Sequence, residues 1–232
     1  GQLAITDADG GESTFKVQTD DTAPTYGTFS ITDTGAWTYK LDNTDTAVQA
    51  LAKDATLTDT VSVEAYDGTT QALTITINGT NDVPTIAVKT DADDLTGSLM
   101  EDGGTLKATG SLTIADTDTG ENQFKTTADY TGTYGGLTIT ADGDWEYTLD
   151  NTGSKVQGLK QGEVVTDVIT VYALDGSATE DVTITITGTN DNPTLEGVVN
   201  TTIADDAGNT VIVPLLVGAA DKDCLLYTSD AA

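Results

Sequence analysis

Histidine and arginine are missing from this sequence altogether, and cysteine and methionine occur once each. Without His, and with a single thiol, the nitrogen and sulfur ligands of zinc and copper sites are not on offer, and neither is a His-based catalytic triad. Basic residues are scarce: 9 stand against 38 acidic ones, a formal net charge of -29 over 232 residues. Such a polyanion repels phosphate backbones and anionic lipid, which argues against nucleic-acid binding, and it attracts cations. No apolar run approaches the ~18 residues of a membrane helix, so no direct membrane insertion is expected, and no basic, apolar leader is recognisable. G-x-S-x-G, a phosphate loop, a dinucleotide fingerprint, an EF-hand loop and the GGxGxD nonapeptide are all absent. A non-enzymatic protein is expected, although paired carboxylates, the raw material of glycoside hydrolysis, abound.

The one cysteine, Cys224, opens the closing string "CLLYTSDAA", which breaks with the composition before it. Residues 224–232 resemble the translation of a transposase sequencing adapter and are set aside from fold and function. The chain also opens on Gly1 without a start Met, which reads as an internal fragment.

What is present is repetition. "GQLAITDADGGESTF" from Gly1 aligns with "GSLTIADTDTGENQF" from Gly110, and "YGTFSITDTGAWTYKLDNT" from Tyr26 with "YGGLTITADGDWEYTLDNT" from Tyr134. "TDTVSVEAYDG" then falls on "TDVITVYALDG", a shift of about 108 residues that is a whole-domain period rather than a solenoid repeat. The expected organisation is a first repeat over 1–83, cut at its N-terminal side, a complete second repeat over 84–192, and the start of a truncated third over 193–223.

Inside each copy Val61, Val63 and Ala65 alternate with polar residues, as do Leu73, Ile75 and Ile77, which places one face of each strand inward and a Thr-rich face in water. Turn residues punctuate the runs at Asp33-Thr34-Gly35, Asp67-Gly68, Asp142-Gly143 and Asp175-Gly176. Together they predict an all-β fold of tandem Greek-key β-sandwich domains. A short helical turn is expected over 46–51, with a partner holding Val156 and Leu159.

The phrase "GTNDVPT" at 79–85 returns as "GTNDNPT" at 188–194, each time between the last strand of one repeat and the first of the next. Pro84 and Pro193 cannot extend a central ladder and bias the residue before them toward extended backbone, so the phrase reads as a directed linker. Asn81 and Asp82 offer oxygens there, and Glu101, Asp102 and the loop Asp116-Thr117-Asp118-Thr119-Gly120-Glu121 follow. Ca²⁺ takes about six to eight oxygen ligands, and alternate carboxylates in an irregular loop can supply several of them. The competing use is local: Asp and Asn are ordinary turn formers that cap their own backbone.

Trp37 and Tyr39, matched by Trp145 and Tyr147, fit a strand whose inward face they share with Leu41, a core role favoured over a sugar-stacking platform. Tyr26, Tyr130 and Tyr134 are the candidates for exposed aromatic contacts to a glycan.

These motifs, in this order and at these spacings from Gly1 to Asp191, resemble the VCBS repeat, which is grouped with the bacterial cadherin-like domains of RTX adhesins. The phrase "TNDNP" is similar to the cadherin linker. The resemblance implies cadherin/Ig-like sandwiches and Ca²⁺ held by Asn81, Asp82, Glu101, Asp116 and Asp118, with Glu121 and Asp67 as further candidates. It implies a second set at Asp175, Asn190 and Asp191, and a half-built one at Asp7, Asp9 and Glu12. The function it implies is a calcium-stiffened extender of a large secreted or surface-attached bacterial adhesin, extracellular and exported by type I secretion, with neighbouring repeats as partners. A module that itself binds exopolysaccharide or surface glycan, and accessory repeats of a secreted hydrolase, are the alternatives.

Overall fold

The computed structural model describes residues 1–8, 12–89, 95–195 and 219–220. The chain divides into two compact units, Gly1–Thr85 with Ala115–Asn122, and Ile86–Ile114 with Gln123–Ala232. Both are built of β-strands, for the reason the alternation states: apolar residues at every second position bury one side of each strand.

The first unit begins with β1 (Gln18–Asp21), β2 (Gly27–Ile31) and β3 (Trp37–Leu41), an antiparallel sheet in that order. Next comes the single helical turn α1 (Thr46–Gln49), capped by Asp45, whose Oδ1 accepts the N–H groups of Ala47 at 2.8 Å and Val48 at 3.3 Å. That cap satisfies two donors of a turn too short to stabilise itself. Strands β4 (Thr56–Glu64) and β5 (Thr70–Asn78) form a second, antiparallel sheet. Phe15, Phe29, Ile31, Val61 and Val63 make the core, with Leu3, Ile5, Trp37, Tyr39 and Leu73 packed partly buried around it.

The second unit runs β6 (Thr85–Val88), β7 (Thr96–Met100), β8 (Lys107–Ala115), β9 (Gly135–Ile139), β10 (Asp144–Leu149), β11 (Val164–Tyr172) and β12 (Thr179–Thr187). One sheet has the order β6-β8-β10-β9 and the other β11-β12-β7. The chain therefore changes sheet after β6, β7 and β10, the connectivity of a Greek-key sandwich. β7 runs parallel to β12, from Thr96 opposite Thr183 to Met100 opposite Thr187. Between the sheets lie Leu112, Phe124, Trp145, Tyr147, Val171, Val182, Ile184 and Ile186, with Val156 and Leu159 closing one end. The fold is thus all-β, as tandem sandwiches of the cadherin/Ig type. A short pair, β13 (Thr194–Leu195) with β14 (Ala219–Ala220), follows.

Trp145 and Tyr147 are core residues, 2% and 0% exposed, while Trp37 and Tyr39 of the first unit are half-buried. The counterpart of α1 is a run of turns over 151–158, with a hydrogen bond from Gln157 N–H to Gly153 O at 3.0 Å. Tyr130 departs from expectation: it is buried, 6% exposed, and its hydroxyl donates to Lys125 O at 2.5 Å, so it is no surface contact for a glycan. Among the described residues no helix is long and apolar enough to cross a membrane.

Candidate metal centre

The repeated linker phrase begins with glycine for a steric reason. A Cβ on Gly79 would lie 2.2 Å from the carbonyl oxygens of Leu51 and Ala52, and one on Gly188 would lie 2.5 Å from that of Lys160. Each linker thus leaves its strand pressed against the turn that follows the last core residues of the neighbouring segment, a contact only glycine permits. The next residues repeat a local turn: Asn81 Nδ2 donates to Asp82 O at 2.5 Å, and Asn190 Nδ2 to Asp191 O at 2.9 Å.

Strand β8 ends at Ala115 and opens into the loop of alternate carboxylates, which clusters with the first unit. Asp116 Oδ1 accepts the N–H of Asp118 at 2.9 Å, and Glu121 N–H donates to Asp118 O at 3.3 Å. Gly120 takes φ +87°, the left-handed conformation that closes the loop. Thr119 N–H donates to Ala50 O at 3.1 Å, and Asp82 N–H donates to Asp118 Oδ2 at 2.8 Å. This last bond ties the linker backbone to the loop. It also buries Asp118, which is only 1% exposed.

The loop leaves an electrostatic debt. Asp118 Oδ1 and Asp116 Oδ2 are both buried and neither has a hydrogen-bond partner. Lys16 pairs with Glu64, Lys89 with Asp144 and Lys107 with Glu146, away from Asp116 and Asp118. Burying a carboxylate oxygen with nothing to balance it costs several kcal/mol in order of magnitude. Carboxylate oxygens of Asp116 and Glu121 lie within 4.8 Å of one another, a span that two Ca–O contacts of roughly 2.3–2.6 Å can bridge. The donor set is oxygen only, which suits a hard divalent cation. Asp116, Asp118 and Glu121, with oxygens of Asn81 and Asp82, therefore fit Ca²⁺.

Glu101 is fully buried in the second unit and meets the second linker phrase: its Oε2 accepts Thr189 N–H at 3.1 Å and its Oε1 accepts Gln157 Nε2 at 3.2 Å. The cause is the parallel pairing of β7 with β12: Glu101 N–H donates to Thr187 O at 2.9 Å, which carries the carboxylate to the second linker phrase. Asp102 beside it adopts φ +52°, accepts Asn151 Nδ2 at 2.7 Å and donates its own N–H to Asn151 Oδ1 at 3.1 Å. Asn190 is exposed there and Asp191 half-buried.

Asp67 is exposed and committed to its own turn, accepting Thr69 N–H at 2.8 Å and the Thr69 hydroxyl at 2.9 Å. The Thr69 backbone bond first, and its hydroxyl second, hold the Asp67 carboxyl below the usual range. Asp175 is half-buried in the matching turn and accepts Ser177 N–H at 3.2 Å. Asp7 is exposed, its N–H donating to Ser13 Oγ at 3.1 Å, and Glu12 is half-buried. Asp9 lies outside the described residues.

Two carboxylates that matter structurally escape a search for metal ligands. Asp59 Oδ1 accepts Thr25 N–H at 2.9 Å, while its Oδ2 accepts Tyr26 N–H and the Tyr39 hydroxyl, both at 2.8 Å. Asp167 repeats the arrangement with Thr133 N–H at 2.8 Å, Tyr134 N–H at 2.9 Å and the Tyr147 hydroxyl at 2.7 Å. Burial works to raise the Asp59 carboxyl, but the bonds from Tyr26, Thr25, Tyr39 and Thr60 outweigh it and hold it below the usual range. The phenols of Tyr39 and Tyr147 are pushed well above theirs, by burial first and then by the carboxylate each one faces. The signal was in the strand phase: Asp59 shares the inward face with Val61 and Val63, where an acid needs buried donors.

Residues 81–188 match the family model of the bacterial cadherin-like domain, so this stretch is similar to that domain. Among solved structures, the protocadherin gammaB7 EC3-6 cis-dimer shares 16% identity over 83% of this chain and 44% of its own, at a TM-score of 0.39. Protocadherin gamma B2 domains 3–6 share 10% over 81% and 48%, at 0.42, and Drosophila N-cadherin EC1-3 shares 13% over 82% and 58%, at 0.36. The chain spans less than half the length of both protocadherins. A comparison with curated proteins finds no match.

Proposed function

We propose that this chain is an extracellular adhesion-type module whose linker is set by Ca²⁺, an extender segment of a large secreted or surface-attached bacterial adhesin exported by type I secretion. The observation that carries this reading is the pair of buried, partnerless oxygens on Asp116 and Asp118, beside the hydrogen bond that holds Asp82. Asp116, Asp118 and Glu121, with Asn81 and Asp82, hold the ion. Ca²⁺ supplies the positive charge that lets these carboxylates share one small volume. The protein's own part is to fix the loop, through the Asp116 to Asp118 turn and the Thr119 to Ala50 bond, and to clamp the linker backbone at Asp82. With the ion removed, the carboxylates repel and the linker loosens. Glu101, Asn190 and Asp191 are the material for a corresponding site at the second linker phrase. Affinity belongs in the weak range of extracellular modules, on the order of 0.1–1 mM.

The test is a thermal melt of the chain with Ca²⁺, with Mg²⁺ and with chelator, beside small-angle scattering. A rise in melting temperature specific to Ca²⁺, with a stiffer particle, is expected. No response in either signal returns the acids to turn formation alone.

A glycan-binding reading keeps one favourable observation. Tyr134 lines an open groove of about 640 Å³ with Thr133, Thr148, Asp150, Ser154 and Lys155, an aromatic face among hydroxyl groups. Retention of the chain on an exopolysaccharide column, abolished by Tyr134→Ala, would favour it.

A further inference from the structure

The dipeptide Asn78-Gly79 occurs once in the sequence, where strand β5 hands over to the first linker phrase. Asparagine before glycine is the pairing in which a peptide most readily reacts with itself, because glycine has no side chain to keep its amide nitrogen from the neighbouring side-chain carbonyl. The fold demands one half of this pairing and not the other. Gly79 is fixed by sterics, since a Cβ there would also lie 2.8 Å from the Leu51 carbonyl carbon. The amide before it is not fixed. In the second unit the same place, at the end of β12 and before Gly188, is held by Thr187, which opens the β11 ladder opposite Val164 as Asn78 opens the β4 ladder opposite Thr56. Threonine cannot deamidate.

Asn78 is exposed, so water reaches its side chain, and Gly79 is half-buried. Two restraints hold the pair unreactive in the closed fold. Gly79 N–H donates to Ala55 O at 2.9 Å, as Gly188 N–H does to Glu163 O at 2.8 Å, which occupies the nitrogen that would attack. The extended backbone of a strand also keeps that nitrogen away from the carbonyl carbon of the preceding side chain. Both restraints lie at the end of a ladder, where pairs open first. Release of the Thr56 and Asn78 pair, with the Gly79 to Ala55 bond, frees both partners at once.

We propose that Asn78 is a site of spontaneous deamidation, paced by opening of the β5 end, and thus an ageing point at the root of the first linker. In the opened state the Gly79 nitrogen loses its proton to solvent and attacks Asn78 Cγ. The bond from Cγ to the side-chain nitrogen breaks, ammonia leaves, and a succinimide closes. Water then adds to one of the two ring carbonyls: opening at Cγ gives aspartate, and opening at the main-chain carbon gives isoaspartate. Either product adds a negative charge shortly before Asn81 and Asp82. Isoaspartate also routes the main chain through Cβ and Cγ, one atom longer, directly before a glycine packed against Leu51 and Ala52 with no space to shift. No cation enters this chemistry.

The test incubates the full chain and a synthetic peptide of residues 74–85 side by side at mildly alkaline pH. Peptide mass spectrometry follows the change from amide to acid at Asn78, and labelling by an isoaspartate methyltransferase tells the two products apart. Hydrogen exchange at the Gly79 amide is read in the same buffer, because it needs release of the same N–H. The peptide is expected to convert mainly to isoaspartate, and the folded chain to convert at Asn78 at least ~10-fold more slowly. That slowing should match the exchange protection of Gly79 to within about threefold. Asn78→Thr, the residue of the second unit, should abolish the change in this segment and leave the circular dichroism of the chain as it was. A folded chain that converts as fast as the peptide while Gly79 stays protected overturns the proposal. So does an unchanged Asn78 after the peptide's reaction time multiplied by the measured protection. A mass change that persists in Asn78→Thr overturns it as well, since the reacting residue would then be Asn81.

Discussion

Replacing Asp118 by Asn separates a cation site from a structural carboxylate, because the two readings predict opposite signs. In chelator, the wild-type side chain keeps one oxygen bonded to Asp82 N–H at 2.8 Å and the other buried without a partner. A buried, unsatisfied polar group costs about 1–3 kcal/mol, and more when charged. Asparagine has the same shape and its carbonyl oxygen can still accept from Asp82, while the negative charge is gone. Asp118→Asn should therefore melt at or above the wild-type temperature in chelator. With Ca²⁺ the order reverses. At 10 to 100 times a Kd in the extracellular range, the wild type gains about 1.4–2.7 kcal/mol, a rise of roughly 6–15 °C for a domain of this size. The variant gains little of it. Differential scanning calorimetry in matched buffers reads both quantities. A variant that loses more than about 1 kcal/mol in chelator, or that keeps the full Ca²⁺ shift, would refute the reasoning, since the protein itself would then be balancing the charge.

Three further outcomes follow from the same geometry. Asp167→Ala strands the donors of Thr133, Tyr134 and Tyr147 in or near the core and should cost about 3–5 kcal/mol, against about 1–2 for Tyr147→Phe, with coupling between them visible in a double-mutant cycle by urea denaturation. Gly132→Ala drives a Cβ to 2.2 Å from Asp167 Oδ2 and should lower stability by about 1–3 kcal/mol, measured the same way. Because the folded Asp59 carboxyl is held below its unfolded value, its contribution is present above the unfolded pKa and lost as pH falls through the folded one. Asp59→Asn should accordingly flatten the acid limb of the first unit's stability profile below about pH 4, as followed by circular dichroism.

Strand phase, turn chemistry and the linker are legible in the sequence because each depends on neighbours a few residues away. Val61 and Val63 turn inward as their alternation requires, and Gly68, Gly143 and Gly176 of the Asp-Gly turns, with Gly35 of Asp33-Thr34-Gly35, all take positive φ. The carboxylates are another matter. Asp118, Glu101 and Asp59 look alike as letters, yet one is left with an unpaired oxygen beside the first linker phrase, one is led to the second, and one clamps a loop to a tyrosine. Tyr130 could be read as a surface ring until the fold turned its hydroxyl onto Lys125 O.

On its own, then, the sequence determined that this is an acidic, all-β, internally repeated protein with oxygen ligands to offer. Only the tertiary structure decided which acids work together. The physical reason is range. A period-two pattern acts within one strand, whereas the place of a carboxylate is set by which strand lies beside which, as the parallel pairing of β7 with β12 carries Glu101 across 88 residues to Thr189.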